Sequence, residues 1–272
     1  MEICSPLVFD ANGMDLAATL ECGQTFGWRR TKENHFEGVA GQCAANIWQQ
    51  NNTLYIQPLS LAAQNADFWR HYFTLDEDYP TLLQRFCTHK KLAACVEPYA
   101  GVRVLHQPFF DTLLSFILSQ NNHIPRITSL FQNLRLFYGT ELAPGLYACP
   151  TPHSLAQKTL EELIPLKAGF RAKYLLDAAK KVDAGVVTEE LLAPLPDAEA
   201  RLLLQNIAGV GPKVADCVLL YSLGRKRVVP MDVWMKRAMA TLFPHGMPRA
   251  AKGSEGIAQQ YIFCAMRDKT LF

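Results

Sequence analysis

The sequence predicts an α+β protein, in which an N-terminal antiparallel β-sheet lobe precedes a larger all-helical lobe containing a helix-hairpin-helix. Three observations carry this expectation. Short segments with alternating apolar residues fill the first sixty positions, and from about Ala62 onward the apolar residues recur at helical spacing. Further on, two apolar helical stretches flank a Gly209-Val210-Gly211 turn. Strands first and helices afterwards describe two packed lobes and not a wound α/β sheet.

The strands are expected at 26–29, 35–39, 45–49 and 53–57, separated by polar breaks such as Lys32-Glu33-Asn34 and Gln50-Asn51-Asn52. The clearest helices are expected at 111–120, 126–137, 154–163, 171–181, 198–206, 213–222, 233–242 and 254–266, with prolines between them. The lobes are expected to divide near residue 105, into 1–105 and 106–272, with the C-terminal helix able to pack back across the division.

Composition bounds the function. Hydrophobic residues make up 49% and charged residues 19% of the 272, as in an ordinary globular chain. A net charge of +2 is too mild to imply nucleic acid by itself. Any basic surface must be local, with Arg225-Lys226-Arg227, Arg29-Arg30 and Lys180-Lys181 as candidates. No basic segment leads into an apolar stretch at the N-terminus, and no apolar run approaches the ~18 residues of a membrane span. Eight scattered cysteines contain no Cys-x-x-Cys pair, which argues against zinc or an iron–sulfur cluster. These features fit an enzyme of a reducing compartment.

The turn at 209–211 is the most informative segment. Its glycines allow positive φ, so successive N–H groups can converge on an anion, and Pro212 opens the next helix where its missing N–H costs nothing. The helix dipole adds partial positive charge there. Such a hairpin can grip a DNA backbone without reading sequence, although the same pattern also suits an αα-hairpin that only packs. Lys213 sits in the first helical turn, where a cation is disfavoured unless it meets a phosphate or does chemistry. Asp232, in Val229-Pro230-Met231-Asp232-Val233, lies where another helix begins; it can be a plain N-cap, and capping does not exclude catalysis.

With Gly209-Val210-Gly211, Lys213 and Asp232 in place, the stretch from Ile207 to Trp234 resembles the helix-hairpin-helix DNA glycosylase superfamily. Val214-Ala215-Asp216-Cys217 and the segment around Asp232 resemble 8-oxoguanine DNA glycosylase specifically. So do Gly23-Gln24-Thr25-Phe26-Gly27-Trp28-Arg29, Asn121-Asn122-His123-Ile124-Pro125-Arg126, Gly169-Phe170-Arg171-Ala172-Lys173-Tyr174, and Gln259 with Phe263. The resemblance runs from about residue 15 to 267.

The resemblance implies a glycosylase/lyase that flips 8-oxoguanine out of duplex DNA, preferably opposite cytosine. Lys213 would attack the sugar C1′, and the resulting imine would permit β-elimination; Asp232 would stabilise the cationic sugar. An amine attacks only when neutral. The Gly23 carbonyl would accept from N7–H of the lesion, where guanine presents a lone pair. Phe263 would stack on the base, Gln259 would bond its Watson–Crick edge, and Cys217 and Tyr221 would wall the pocket. Asn121 would fill the vacated space, Arg126 and Arg171 would bond the orphaned base, and Phe170 would wedge beside it. Gly209, Val210, Gly211 and Trp234 would meet the backbone. No cofactor or metal is expected. The partner is double-stranded DNA, without a membrane, and the protein is expected to act as a monomer. It would work in the cytoplasm at the nucleoid if prokaryotic and in the nucleus if eukaryotic.

Familiar eukaryotic members carry tyrosine at Phe170, asparagine at His123, methionine at Tyr221 and histidine at Trp234, so opposite-base selectivity is the expectation most exposed to change. Two enzymatic rivals fit less well. Endonuclease-III-type relatives carry a four-cysteine cluster after the catalytic helix, where this chain has only Cys264 beyond Cys217. Alkylated-base glycosylases work without the hairpin lysine. A DNA-binding module alone would not need Lys213, Asp232, Gln259 and Phe263 together.

Overall fold

The computed structural model describes residues 5–268. Cys4 and the start of the N-terminal stretch lie outside them. Strand β1 (Leu7–Asp10) and helix α1 (Leu16–Glu21) precede four strands, β2 (Trp28–Lys32), β3 (His35–Ala40), β4 (Cys43–Gln50) and β5 (Thr53–Pro58). The strands form one antiparallel sheet in the order β1-β5-β4-β3-β2. Asn34 and Asn51, both at positive φ, make the turns at the two polar breaks.

Alternation decides the faces of the sheet. Phe36, Ile47, Leu54 and Ile56 point inward and pack with Trp69, Tyr72 and Phe73 from α2 (Ala66–Tyr72) and its C-cap. On the outer face Trp48 and Tyr55 stack, with ring centroids 5.2 Å apart.

The rest is mainly helical: α3 (Tyr79–Cys87), α4 (Lys90–Val96), α5 (Phe109–Leu118), α6 (Ile124–Tyr138), a small β6–β7 hairpin (Glu141–Ala143, Leu146–Tyr147), α7 (Pro152–Ala156), α8 (Arg171–Asp183), α9 (Glu189–Leu192), α10 (Asp197–Leu204), α11 (Pro212–Tyr221), α12 (Val233–Thr241) and α13 (Glu255–Arg267). Apolar α5 lies at the centre, with eight of its residues from Phe109 to Leu118 buried. It packs against α6, α8 and α11, while α13 packs against α4 and α12. A second, larger core joins these helices and reaches back to Cys22 and Phe26.

Three expectations need correction. The first strand and α1 are additional elements. Strand β2 begins later than 26, because Phe26 turns into the helical core with its ring edge-on to Phe116 at 6.2 Å. The helix expected over 154–163 stops at Ala156. Thr159 N–H donates to Glu162 and Glu162 N–H donates to the Thr159 hydroxyl, and these local bonds compete with helix continuation.

The Gly23 segment is fastened across the molecule by buried Gln24. Its amide nitrogen donates to Thr19 O (2.9 Å) and Arg103 O (2.7 Å), and its side-chain oxygen accepts from Leu105 N–H (2.9 Å). Among the described residues no cysteine forms a disulfide, no group of three metal-ligating side chains assembles, and no helix is long and apolar enough to cross a membrane.

Candidate active site

The hairpin between α10 and α11 is built from its loop outward. Gly209 has φ +78°, and an added Cβ would drive into the Tyr174 ring, so only glycine fits. Gly211 is extended at the N-cap of α11, and a Cβ there would meet nothing within 4 Å. Its lack of a side chain therefore serves no contact within the chain. Val210 differs from its glycine neighbours: its side chain is buried and its N–H donates to Ile207 O at 3.0 Å. Behind the loop, Asp177 accepts from Ala208 N–H (2.6 Å) and from Lys181 (2.8 Å), and Lys181 also donates to Asn206 O.

Lys213, Cys217 and Tyr221 are spaced four apart on α11 and so share one face. The Lys213 amine lies 5.0 Å over the Phe116 ring and donates to the Ser119 hydroxyl at 3.4 Å. Phe116 stacks on Tyr221, with centroids 5.3 Å apart and planes 8° apart. Burial pushes the Cys217 thiol up to about 11, and the adjoining Lys213 acts in the opposite sense; Cys217 is a protonated wall residue at neutral pH.

Opposite this face, Asp232 caps α12 by accepting Met235 N–H at 2.8 Å. Capping fixes its carboxylate among the residues that line the same cavity. From α13 come Gln259 and Phe263, again four apart. Gln259 is buried, and among the described residues its Oε1 has no hydrogen-bond partner. An unpaired buried acceptor on a residue that lines a cavity is a place for a donor from outside the chain once the walls part. Gly23 completes the wall at φ +91°, where a Cβ would press to 2.9 Å from Ile124 Cδ1.

All seven residues expected at the chemistry and the base, namely Gly23, Lys213, Cys217, Tyr221, Asp232, Gln259 and Phe263, thus line one cavity of about 50 Å³. It holds little more than ordered water, so admitting a purine requires its walls to part. Clefts of about 390 and 290 Å³ lie elsewhere, one beside Trp28 and Tyr147 and the other beside His71 and His106. Neither includes Lys213 or Asp232, and size is a poor guide here.

The lip is more open. Asn121 (φ +46°) and Arg126 are exposed, and Phe170 is 48% exposed with its ring edge-on to Tyr174. Arg171 departs from the expectation of a side chain facing DNA. It is buried, its guanidinium donates to the carbonyls of Gln120 (2.9 Å from Nε), Asn121 (3.0 Å) and Ala168 (3.3 Å), and it lies over the Phe170 ring. Desolvation and the nearby Arg126 lower its pKa from the ordinary arginine value. Trp234 is half-buried at the start of α12, beside exposed Val233.

The basic runs have other uses. Arg225 pairs with Asp197 and donates to the carbonyls of Leu192, Ala193 and Leu195. Lys226 pairs with Glu77, Arg29 with Glu37, Arg30 with Glu21 and Lys181 with Asp177. The sequence reading gave no role to Phe116, Pro230 and Gln260 at the cavity, to Ser119 beside the Lys213 amine, or to Asp177 behind the hairpin. Phe116 and Ser119 could have been suspected from their place just before Asn121; the others depend on contacts far apart in sequence.

Two family models match successive parts of the chain. Residues 6–113 match the 8-oxoguanine DNA glycosylase N-terminal domain, and residues 114–259 match the HhH-GPD superfamily of base excision DNA repair proteins. The chain belongs to the 8-oxoguanine DNA glycosylase family. Within that family, a Saccharomyces cerevisiae N-glycosylase/DNA lyase is 34% identical over 182 residues, 61% of this chain and about half (48%) of the yeast protein. A solved structure of MBOgg1 with a low-affinity DNA ligand superposes with a TM-score of 0.89 at 33% identity, covering 99% of this chain and 98% of that one. The Clostridium acetobutylicum 8-oxoguanine glycosylase/lyase, in complex with duplex DNA containing cytosine opposite 8-oxoguanine, gives a TM-score of 0.87 at 28% identity over the full length of both chains.

Proposed function

We propose that this protein excises 8-oxoguanine from duplex DNA and cleaves the strand through an imine on Lys213. The observation that carries this reading is the convergence of Lys213, Asp232 and the unpartnered Gln259 carbonyl on one cavity with Gly23.

A base inside a duplex is out of reach, so the nucleotide is flipped into the cavity. The neutral Lys213 amine attacks C1′ and the C1′–N9 bond breaks, its electron pair leaving with the base. Asp232 stabilises the positive charge that develops on the sugar. The sugar ring opens as nitrogen and C1′ form an imine, whose neighbouring C2′ proton becomes acidic; its loss expels the 3′-phosphate. The Gly23 carbonyl accepts from N7–H of the lesion and faces a lone pair on guanine, a contrast worth on the order of 1–3 kcal/mol. Gln259 bonds the Watson–Crick edge and Phe263 covers the ring. Gly211, with open space where a side chain would stand, lets a phosphate approach the start of α11.

Cytosine is the expected opposite base. Arg126 and a released Arg171 would donate to its O2 and N3. Phe170 lacks the hydroxyl of the eukaryotic wedge tyrosine, which relaxes that preference. The residues act in one chain as a monomer, with the sheet lobe to about residue 105 supplying Gly23 and the remainder supplying the hairpin, nucleophile and last helix.

The test uses duplexes carrying 8-oxoguanine opposite C, A, G or T, with thymine glycol and alkyladenine duplexes as controls, each incubated with borohydride. A covalent adduct is expected with 8-oxoguanine:C, and Lys213→Gln abolishes it. No adduct on any duplex defeats the lyase reading, and trapping only on thymine glycol defeats the substrate.

A further inference from the structure

One polar pair in the base cavity has no role in the scheme above. Tyr221 donates its hydroxyl to Gln260 Oε1 at 2.6 Å, and both side chains are buried. Gln260 Nε2 donates to Cys264 Sγ at 3.6 Å, one turn along α13. The amide is thereby oriented, its oxygen toward Tyr221 and its nitrogen along the helix. The Tyr221 ring is held as well, stacked on the Phe116 ring that carries the Lys213 amine on its other contacts.

The neighbouring residue behaves differently. Gln259 and Gln260 are consecutive on α13 and border the same cavity, yet among the described residues the Gln259 Oε1 has no partner while the Gln260 Oε1 is bound to Tyr221. A buried hydroxyl that loses its acceptor finds another or bears the cost of desolvation. Of the two side-chain amides that border this small cavity, Gln259 is the one whose carbonyl is unclaimed among the described residues.

We propose that Gln260 is a positioning residue of the base pocket, which engages the Tyr221 hydroxyl and so keeps the Gln259 carbonyl free for the donors on the Watson–Crick edge of the base. The inference rests on the reading that a flipped base occupies this cavity. A guanine-type edge presents N1–H and an exocyclic N–H and needs that acceptor. An adenine-type edge presents an acceptor at N1 and only its exocyclic N–H as a donor, so it loses less when the carbonyl is taken. Gln260 therefore acts on discrimination between the two edges, through Tyr221 and Gln259, without itself bonding the base.

Excision of 8-oxoguanine:C and 8-oxoadenine:C duplexes by the wild type, Gln260→Met, Tyr221→Phe and the double variant tests this. Gln260→Met is expected to raise KM for 8-oxoguanine about tenfold with a smaller change in kcat, and to lower the preference over 8-oxoadenine. The double variant has no hydroxyl to release and is expected to recover most of the lost preference for 8-oxoguanine over 8-oxoadenine, because removing both partners of a buried bond costs less than removing one. An unchanged Gln260→Met, or a double variant as impaired as the single one, overturns the proposal. So does recovery of thermal midpoint in the double variant without recovery of base preference, which would leave Gln260 a packing role only. If Gln260→Met does not accumulate as folded protein, the double variant decides: wild-type preference supports the proposal and lost preference refutes it. Wild type that leaves 8-oxoguanine intact sinks the excision reading and this proposal with it, whereas active wild type with an unmoved Gln260→Met sinks the proposal alone.

Discussion

The cavity and the lip are built in opposite ways. Apart from Gly23 and Pro230, cavity residues stand on helix faces or at helix caps, with Lys213, Cys217 and Tyr221 along α11, Gln259 and Phe263 along α13, and Asp232 fixed by the cap it makes. Lip residues stand on loops or at helix starts, where Asn121, Arg126 and Phe170 face solvent. Groups that must meet reacting atoms gain from being preorganised, since no reorganisation is then required during reaction. Under the proposed function, groups that replace a lost base partner would gain from freedom, because the strands they separate are themselves deformable. Arg171 stands between the two regimes, being a lip residue whose guanidinium is held by the carbonyls of the Asn121 turn.

The largest expected effect sharpens this contrast at Asp232. Asparagine caps a helix as well as aspartate does, so Asp232→Asn is expected to keep the thermal midpoint while excision falls about 10²–10³-fold. Asp232→Ala should lose the activity and a further ~1 kcal/mol of stability with the cap. If Asp232→Asn retained excision, the carboxylate would be a cap and nothing more. The hairpin comes next. Gly209→Ala meets both a left-handed φ and the Tyr174 ring, and is expected to cost about 1–3 kcal/mol in denaturant unfolding. Gly211→Ala meets open space and should stay within about 0.5 kcal/mol, yet weaken binding to every duplex, lesion or none. Equal binding by Gly211→Ala would remove the phosphate from that position.

The smallest effect lies far from both regions. Burial, with the His71 ring 3.7 Å away, pushes the His106 imidazole down to about 4. The folded protein thus favours the neutral form more than the unfolded chain does. The stability this supplies is fully present above the ordinary histidine pKa near ~6.5 and is lost as pH falls toward 4. Thermal midpoints measured across that window should decline on acidification, with a shallower decline in His106→Gln. An unaltered slope in that variant would assign the acid sensitivity elsewhere.

Legibility in the sequence followed the range of the forces involved. β3 and β5 were readable because alternation and an asparagine turn are local, and the sheet edge β1 was not, because four residues acquire meaning only beside β5. The helix faces of the cavity could be inferred from four-residue spacing, and the resemblance supplied their roles. Gln24, Asp177 and Gln260 escaped notice because each acts on a distant or unexpected partner. The basic runs could not be resolved for a related reason: several of their charges pair with acids that only the fold brings near, as Glu77 does for Lys226.

One helix joins features that the chain keeps apart. Along α8, Arg171 holds the Asn121 turn, Tyr174 fills the space beside Gly209, and Asp177 and Lys181 fasten the hairpin loop. Its 13 residues make a strut of about 20 Å, with the Phe170 loop at one end and the 209–211 hairpin along its length. The hairpin is consequently not a detachable cassette. Grafted into another scaffold without this strut it would lose the template for its own loop, and insertions that lengthen α8 would shift the Phe170 loop relative to the hairpin.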